Sequence, residues 1–379
     1  MKFPAIILIS VMLLPAMFLG AQNHLPVIIA KSETVDIRDG NEMKKKSWTI
    51  TPKLRPDVYT TQNKDKKVTF YTDCDSITFR VKAGHSYDFI ILMNGKDSAW
   101  TRIVYQPSYL NILKHAAKYN TAEKTDIPEF TYQQAGDPNL TALRTGFKLD
   151  SIAGTGNEVS KIINLLHWIH YLIPHDGNHG NPPVNNAMSM IRVCKTDHRG
   201  LNCRGLATVL NECYLSLGFK SRFVTCMPKD SVFTDCHVIN VVYSKDLGKW
   251  IWIDPTNDAY VMNEKGELLS IAEVRERIIS GKPLILNPDA NWNHQTSTTK
   301  EDYLYNYMAK NLYRIECLVS SEYDSETPAT GKKLSYIELL PLDAYNQTPR
   351  RSVNKSAKSG VTFINYKTNN PDVFWAKPE

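Results

Sequence analysis

Three residue types that together can run an acyl transfer lie in one stretch of the chain: the thiol of Cys203, the imidazole of His237 and the carboxylate of Asp254. A thiolate attacks an acyl carbon, an imidazole takes and returns the proton, and a carboxylate fixes the imidazole tautomer and stabilises its cation. The chemistry that this set points to is nucleophilic attack on an amide or ester carbonyl.

The local pattern says which elements must hold each group. From Cys203 the apolar residues Leu206, Val209, Leu210, Cys213 and Leu217 recur at helical spacing, and Gly218 stands where a helix ends. Cys203 is therefore expected in the first turn, where free N–H groups and the helix dipole favour a thiolate and can hold an oxyanion. Asn202 is expected to cap that helix or to offer an amide donor. Arg204, next to the thiol, is expected to bring a positive charge to the rim. Residues 237–243 and 250–254 are rich in Val, Ile, Trp and Tyr and read as strands around a turn at 244–249. If Tyr243 pairs with Trp250, Ile239 pairs with Asp254, and the even loop sets His237 and Asp254 on one face as diagonal neighbours.

A Cys on a helix, a His on a strand and Asp-Pro on the next strand resembles the transglutaminase-like superfamily, which has a papain-like core. Gly218 to Val224 is similar to that family's Gly-Ile-Pro-Ala-Arg-Val-Val strand, and Trp252 to Thr256 to its Trp-x-x-x-Asp-Pro-Thr ending. The likeness spans residues 155–285. It implies an α+β fold with an antiparallel sheet and a catalytic helix, no cofactor, and Cys203, His237 and Asp254 as the triad. The chain departs from the family at Arg204, where cross-linking members carry Trp, and at Val238 and Ile239, where an aromatic residue is usual. Exported bacterial members include hydrolases. The expectation is hydrolysis of an amide in a peptide, glycopeptide or cell-wall fragment through a thioester; the alternatives are a transglutaminase and a non-catalytic envelope binding protein. A loop before the Cys helix often lines the acyl site in this family, which makes His175 and His179 candidates for an oxyanion donor.

The remaining sequence sets the frame. The chain has 379 residues, 42% hydrophobic and 22% charged, enough for two or three packed domains. Its net charge of +6 comes in short clusters, at 44–46 and 64–67, which read as solvated faces and do not suggest nucleic-acid binding. Residues 1–21 read as a secretory signal too short for a membrane span, placing the protein in the periplasm or outside the cell with no integral span after cleavage. Residues 22–110 read as a small β-sandwich, with Asn94-Gly95 as a hairpin turn, and 111–154 as a connecting region. Residues 155–379 read as the transglutaminase-like domain. Within it, 155–173 is expected to be a helix boxed by Thr155 and Glu158, and Ser270 with Glu273 to box another. Residues 346–360 read as a polar loop. Seven cysteines show no Cys-x-x-Cys spacing, so no metal site is expected. An exported protein permits a disulfide, and Cys226 and Cys236 bracket a loop that one would close.

Overall fold

Alternation and turn chemistry build the N-terminal unit, residues 1–107. The computed structural model describes residues 25–124, 126–230 and 235–379, so the leader read over 1–21 lies outside the described residues. One four-stranded sheet runs Val27–Ala30, Ser86–Met93, Asp97–Tyr105, Asp57–Thr61; a second runs Glu42–Thr49, Thr34–Asp39, Lys67–Tyr71, Ser76–Arg80. Every second residue goes inward: Ile28, Phe89, Ile91 and Ile103 from the first meet Ile37, Val68 and Phe70 from the second in one core. Asn94 and Gly95 both take positive φ, 51° and 66°, in the three-residue connection between Ser86–Met93 and Asp97–Tyr105, where Lys96 N donates to Met93 O at 3.0 Å.

The second unit, residues 108–379, is a mixed α+β body around a seven-stranded sheet. Its order is Lys249–Ile253, His237–Ser244, Ser221–Met227, Arg314–Leu318, Lys333–Leu339, Thr362–Thr368, Arg351–Lys355. The sheet is antiparallel except where Lys333–Leu339 runs parallel to Thr362–Thr368. The strand Arg351–Lys355 lies in a stretch whose polarity reads as loop; as an edge strand it needs no apolar pattern.

The helix Cys203–Ser216 packs on the strands His237–Ser244 and Ser221–Met227. It is buried all round from Gly205 to Ser216, more than its amphipathic spacing suggests, because three further helices cover its other side. Two of its inward polar side chains find partners: Glu212 accepts the backbone N–H groups of Ala187 and Asp324, and Asn211 Nδ2 donates to Ser321 Oγ. Burial pushes the Glu212 carboxyl up to about 8 in spite of those two N–H groups.

Two expectations about organisation are corrected here. Residues 111–154 are not a spacer: the helices Pro138–Gly146 and Leu149–Ala153 belong to the second unit and bury Leu140, Leu143 and Leu149 against the Cys203 helix and the helix Glu158–Leu172. That last helix is capped by Asn157, whose side chain accepts from Ser160 N, and not by Thr155; Glu158 instead accepts from Ser244 Oγ and Asp246 N. The Ser270 and Glu273 capping box forms as read, with Gly281 closing the helix in the left-handed region. No helix among the described residues is long and apolar enough to cross a membrane.

Candidate active site

Register delivers the first pair of groups. Tyr243 pairs with Trp250 and Asn240 with Ile253, so the strand leads Asp254 onto the same face as His237. His237 Nε2 donates to Asp254 Oδ2 at 2.7 Å, and both side chains are buried. The Nδ1 side of the ring is left for Cys203, which hydrogen bonds with His237. Cys203 opens its helix as the first residue after the Asn202 cap.

Asp254 is held on four sides. Thr256 N donates to Oδ1 at 2.8 Å; Asn257 Nδ2 and Tyr303 Oη donate to Oδ2 at 3.1 and 2.6 Å, beside His237. Trp252 Nε1 in turn donates to Tyr303 Oη at 3.1 Å. The ring of Tyr307 stands edge-on to His237, centroids 5.3 Å apart. Tyr303 and Tyr307 lie one turn apart on a helical segment, Glu301–Met308, with wide, π-type hydrogen bonding. An aromatic ring beside His237 is thus supplied from far along the chain, by the segment Glu301–Met308.

The electrostatics follow from these contacts. Burial would raise the Cys203 thiol, but hydrogen bonds from His175 and His237 and the charge of His237 bring it down to about 6. Burial would lower His237, but the Asp254 charge and hydrogen bond carry it up to about 10. Burial also opposes ionisation of Asp254, and His237 first, then Tyr303 and Asn257, hold it below the usual range. Between about 6 and about 10 the favoured state is therefore a thiolate beside an imidazolium.

The other candidate residues divide. His175 reaches Cys203. His179 does not: it points into solvent, paired with Asp176 Oδ2 at 2.6 Å. Asn202 acts as the cap, its Oδ1 accepting from Gly205 N and from Asn181 Nδ2. Arg204 lines the cleft, as expected, but its charge is paired: the guanidinium donates to Glu326 Oε1 at 2.7 Å and Thr225 Oγ1 at 2.9 Å and lies over Phe223. The disulfide is also corrected. Cys226 is the register partner of His237 and is buried, while Cys236, one residue before His237, turns the other way beside Cys203; all seven thiols are free.

A cleft of about 640 Å³ opens over the thiol, walled by His175, Trp292, Tyr307, Asp235 and the 296–299 segment. Two hollows of about 790 and 800 Å³ elsewhere in the unit are larger but hold neither thiol nor imidazole. Among the described residues, His167, Asp258 and Asp289 are grouped closely enough to hold a cation. His167 Nδ1 already lies 2.7 and 2.8 Å from the two Asp258 oxygens, which leaves one nitrogen, 3.9 Å from Asp289, for a metal. Two ligands make a poor site. The group acts as a brace: its hydrogen bond to Asp258 raises the His167 pKa against burial and favours the imidazolium. With His170, which bridges Pro255 O and Asn291 Oδ1 at 3.0 Å each, it ties the helix Glu158–Leu172 to the turn that follows Asp254.

No protein-family profile matches the chain, and no curated protein matches it in sequence. Among solved structures it is similar to a proposed cysteine protease from Cytophaga hutchinsonii, at 18% identity over 37% of this chain and 49% of that one, TM-score 0.24. It is similar to a proposed protease from Parabacteroides distasonis, at 18% identity over 31% of this chain and 26% of that one, TM-score 0.20. It is also similar to a transglutaminase (TGase), at 14% identity over 77% of this chain and 58% of that one, TM-score 0.26. The chain spans less than two thirds of the length of each.

Proposed function

We propose that this chain is an exported cysteine acyl hydrolase that cleaves an amide in a peptide, glycopeptide or cell-wall fragment. One observation carries the reading: a thiol at a helix N-terminus faces an imidazole whose far nitrogen is held by a buried carboxylate. In the first half-reaction the Cys203 thiolate attacks the carbonyl carbon, and the oxyanion collapses as the C–N bond breaks. His237 gives its proton to the departing amine, leaving a thioester. In the second, His237 removes a proton from water, the hydroxide attacks the thioester, and the thiolate leaves with a free acid. Nothing in these steps needs a metal or an organic cofactor.

The cleft supports water as the acceptor because its outer wall is the hydroxyl-rich run Thr296, Ser297, Thr298 and Thr299. A second reading, transfer to an amine, draws support from the aromatic side chains Trp292 and Tyr307 and from Asp302, whose carboxylate would attract a cationic amine; Asp235 is already paired with Lys310. Fluorescent casein and dimethylcasein with dansylcadaverine separate these readings. The expected result is release of casein fragments or free acid with little dansyl incorporation. Stoichiometric incorporation reverses the reading to a transglutaminase. If neither reaction nor rapid alkylation of Cys203 is seen, the chain is a binding protein.

A further inference from the structure

Two imidazoles meet one sulfur in this cleft, and they are wired differently. His237 has its outer nitrogen on Asp254, an acceptor, at 2.7 Å. His175 has its Nδ1 on Trp292 Nε1, at 3.2 Å. An indole N–H can only donate. Nδ1 of His175 must then carry the lone pair and the ring proton sits on Nε2, the nitrogen left for the hydrogen bond to Cys203, which lines the same cleft. A carboxylate favours the cation of one histidine; an indole donor leaves the other a single N–H to offer.

The backbone is built for this. His175 N donates to Asn293 Oδ1 at 2.7 Å, and Asn293 Nδ2 donates back to His175 O at 2.9 Å. Residue 175 also bridges Leu201, just before the Cys203 helix, with Asp176 N donating to Leu201 O at 2.7 Å. That approach is possible because residue 200 is glycine: a Cβ there would stand 2.3 Å from Pro174 O. Trp292 is delivered by a two-residue hairpin, Asn291–Trp292 with Thr296–Ser297, whose tip residues Asn293 and His294 both take positive φ, 51° and 58°. Such a backbone is uncommon for histidine, and the His294 ring is held by stacking on Tyr171 at 4.2 Å.

We propose that Trp292 is a positioning residue that locks His175 in the Nε2–H tautomer, aiming that N–H at the Cys203 thiolate and at the oxyanion formed on the acyl oxygen. The inference rests on the reading of Cys203 as an acyl nucleophile. Trp292→Phe keeps the ring and removes the donor, and Trp292 is 40% exposed, so the fold is expected to survive.

The test uses the full chain with p-nitrophenyl acetate as acyl donor and nitrogen NMR of labelled histidine. In the wild type His175 should carry its proton on Nε2, and Trp292→Phe should give a mixture of tautomers. The kcat should fall by about 10- to 100-fold, the scale on which losing a tautomer-fixing partner acts at metal-bound imidazoles, with KM unchanged. His175→Gln supplies an amide N–H that has no tautomer; it should keep part of the activity, and adding Trp292→Phe to it should then change nothing. Equal losses in both backgrounds, a rise in KM with kcat retained, or a proton on Nδ1 in the wild type would each overturn the proposal. Full turnover by Cys203→Ala would sink the nucleophile reading itself; a dead Cys203→Ala beside a silent Trp292→Phe sinks only the lock.

Discussion

Cys203→Ala is expected to remove thioester formation, and His237→Ala to remove it to the same extent. In the proposed mechanism two imidazoles and a helix N-terminus favour the thiolate near neutral pH, and His237 protonates the leaving amine. Nucleophile and base act as one unit, so each loss should reach about a millionfold in kcat and the double variant should be no worse than either single one. Cys203→Ala removes a single sulfur and should leave the fold intact, whereas His237→Ala leaves the buried Asp254 carboxylate without its partner and should lower the unfolding temperature, which circular dichroism and thermal unfolding check. Burst kinetics with p-nitrophenyl acetate read the chemistry. A Cys203→Ala variant with a full burst would mean that another group is acylated.

Asp254→Ala carries the second-largest expected effect, and it differs in kind. Asp254 does not transfer the proton; it orients His237 and stabilises its cation, so a loss of about 10⁴ in kcat is expected, with more residual rate than the other two. The sign of the pH effect follows from the pair. Without the carboxylate the His237 pKa falls from about 10, the Cys203 thiol rises from about 6, and the window between them narrows. The variant should also be less stable. His237, Tyr303, Asn257 and Thr256 all donate to this one buried carboxylate, and each donor left unpaired costs about 1–3 kcal/mol. Tyr303→Phe removes a single one of those bonds and should keep most of the activity. Loss of turnover in Tyr303→Phe without loss of stability would contradict that expectation and give Tyr303 a part in orienting the His237–Asp254 pair.

The geometry of the candidate site was legible wherever a short period governs it. The strands around residues 244–249 obey a period of two, so fixing Tyr243 opposite Trp250 also fixes the shared face of His237 and Asp254. The Cys203 helix announces itself by apolar spacing and Gly218, and the Ser270 box by two residues three apart. What stayed hidden comes from far along the chain. Tyr303 is 49 residues from Asp254, Trp292 is 117 from His175 and Glu326 is 122 from Arg204. No local pattern encodes contacts of that range; packing of whole elements sets them. Arg204 shows the cost of reading one residue alone, since its charge looks free until Glu326 is placed. The helix Ala187–Asp197 is a different case: Ala187, Met190, Ile191 and Cys194 carry the helical spacing, but they follow a loop dense in Gly and Pro that draws attention away.

The most direct measurement is the rate at which iodoacetamide alkylates Cys203 as a function of pH, in the wild type and in His237→Ala. In the wild type the rate should rise through a midpoint near 6, well before the other thiols react. Loss of His237 should carry that midpoint up toward about 8.5, the range of an ordinary thiol. A wild-type Cys203 that already titrates in the ordinary range, or a midpoint that His237→Ala leaves in place, would contradict a thiolate–imidazolium pair in this cleft.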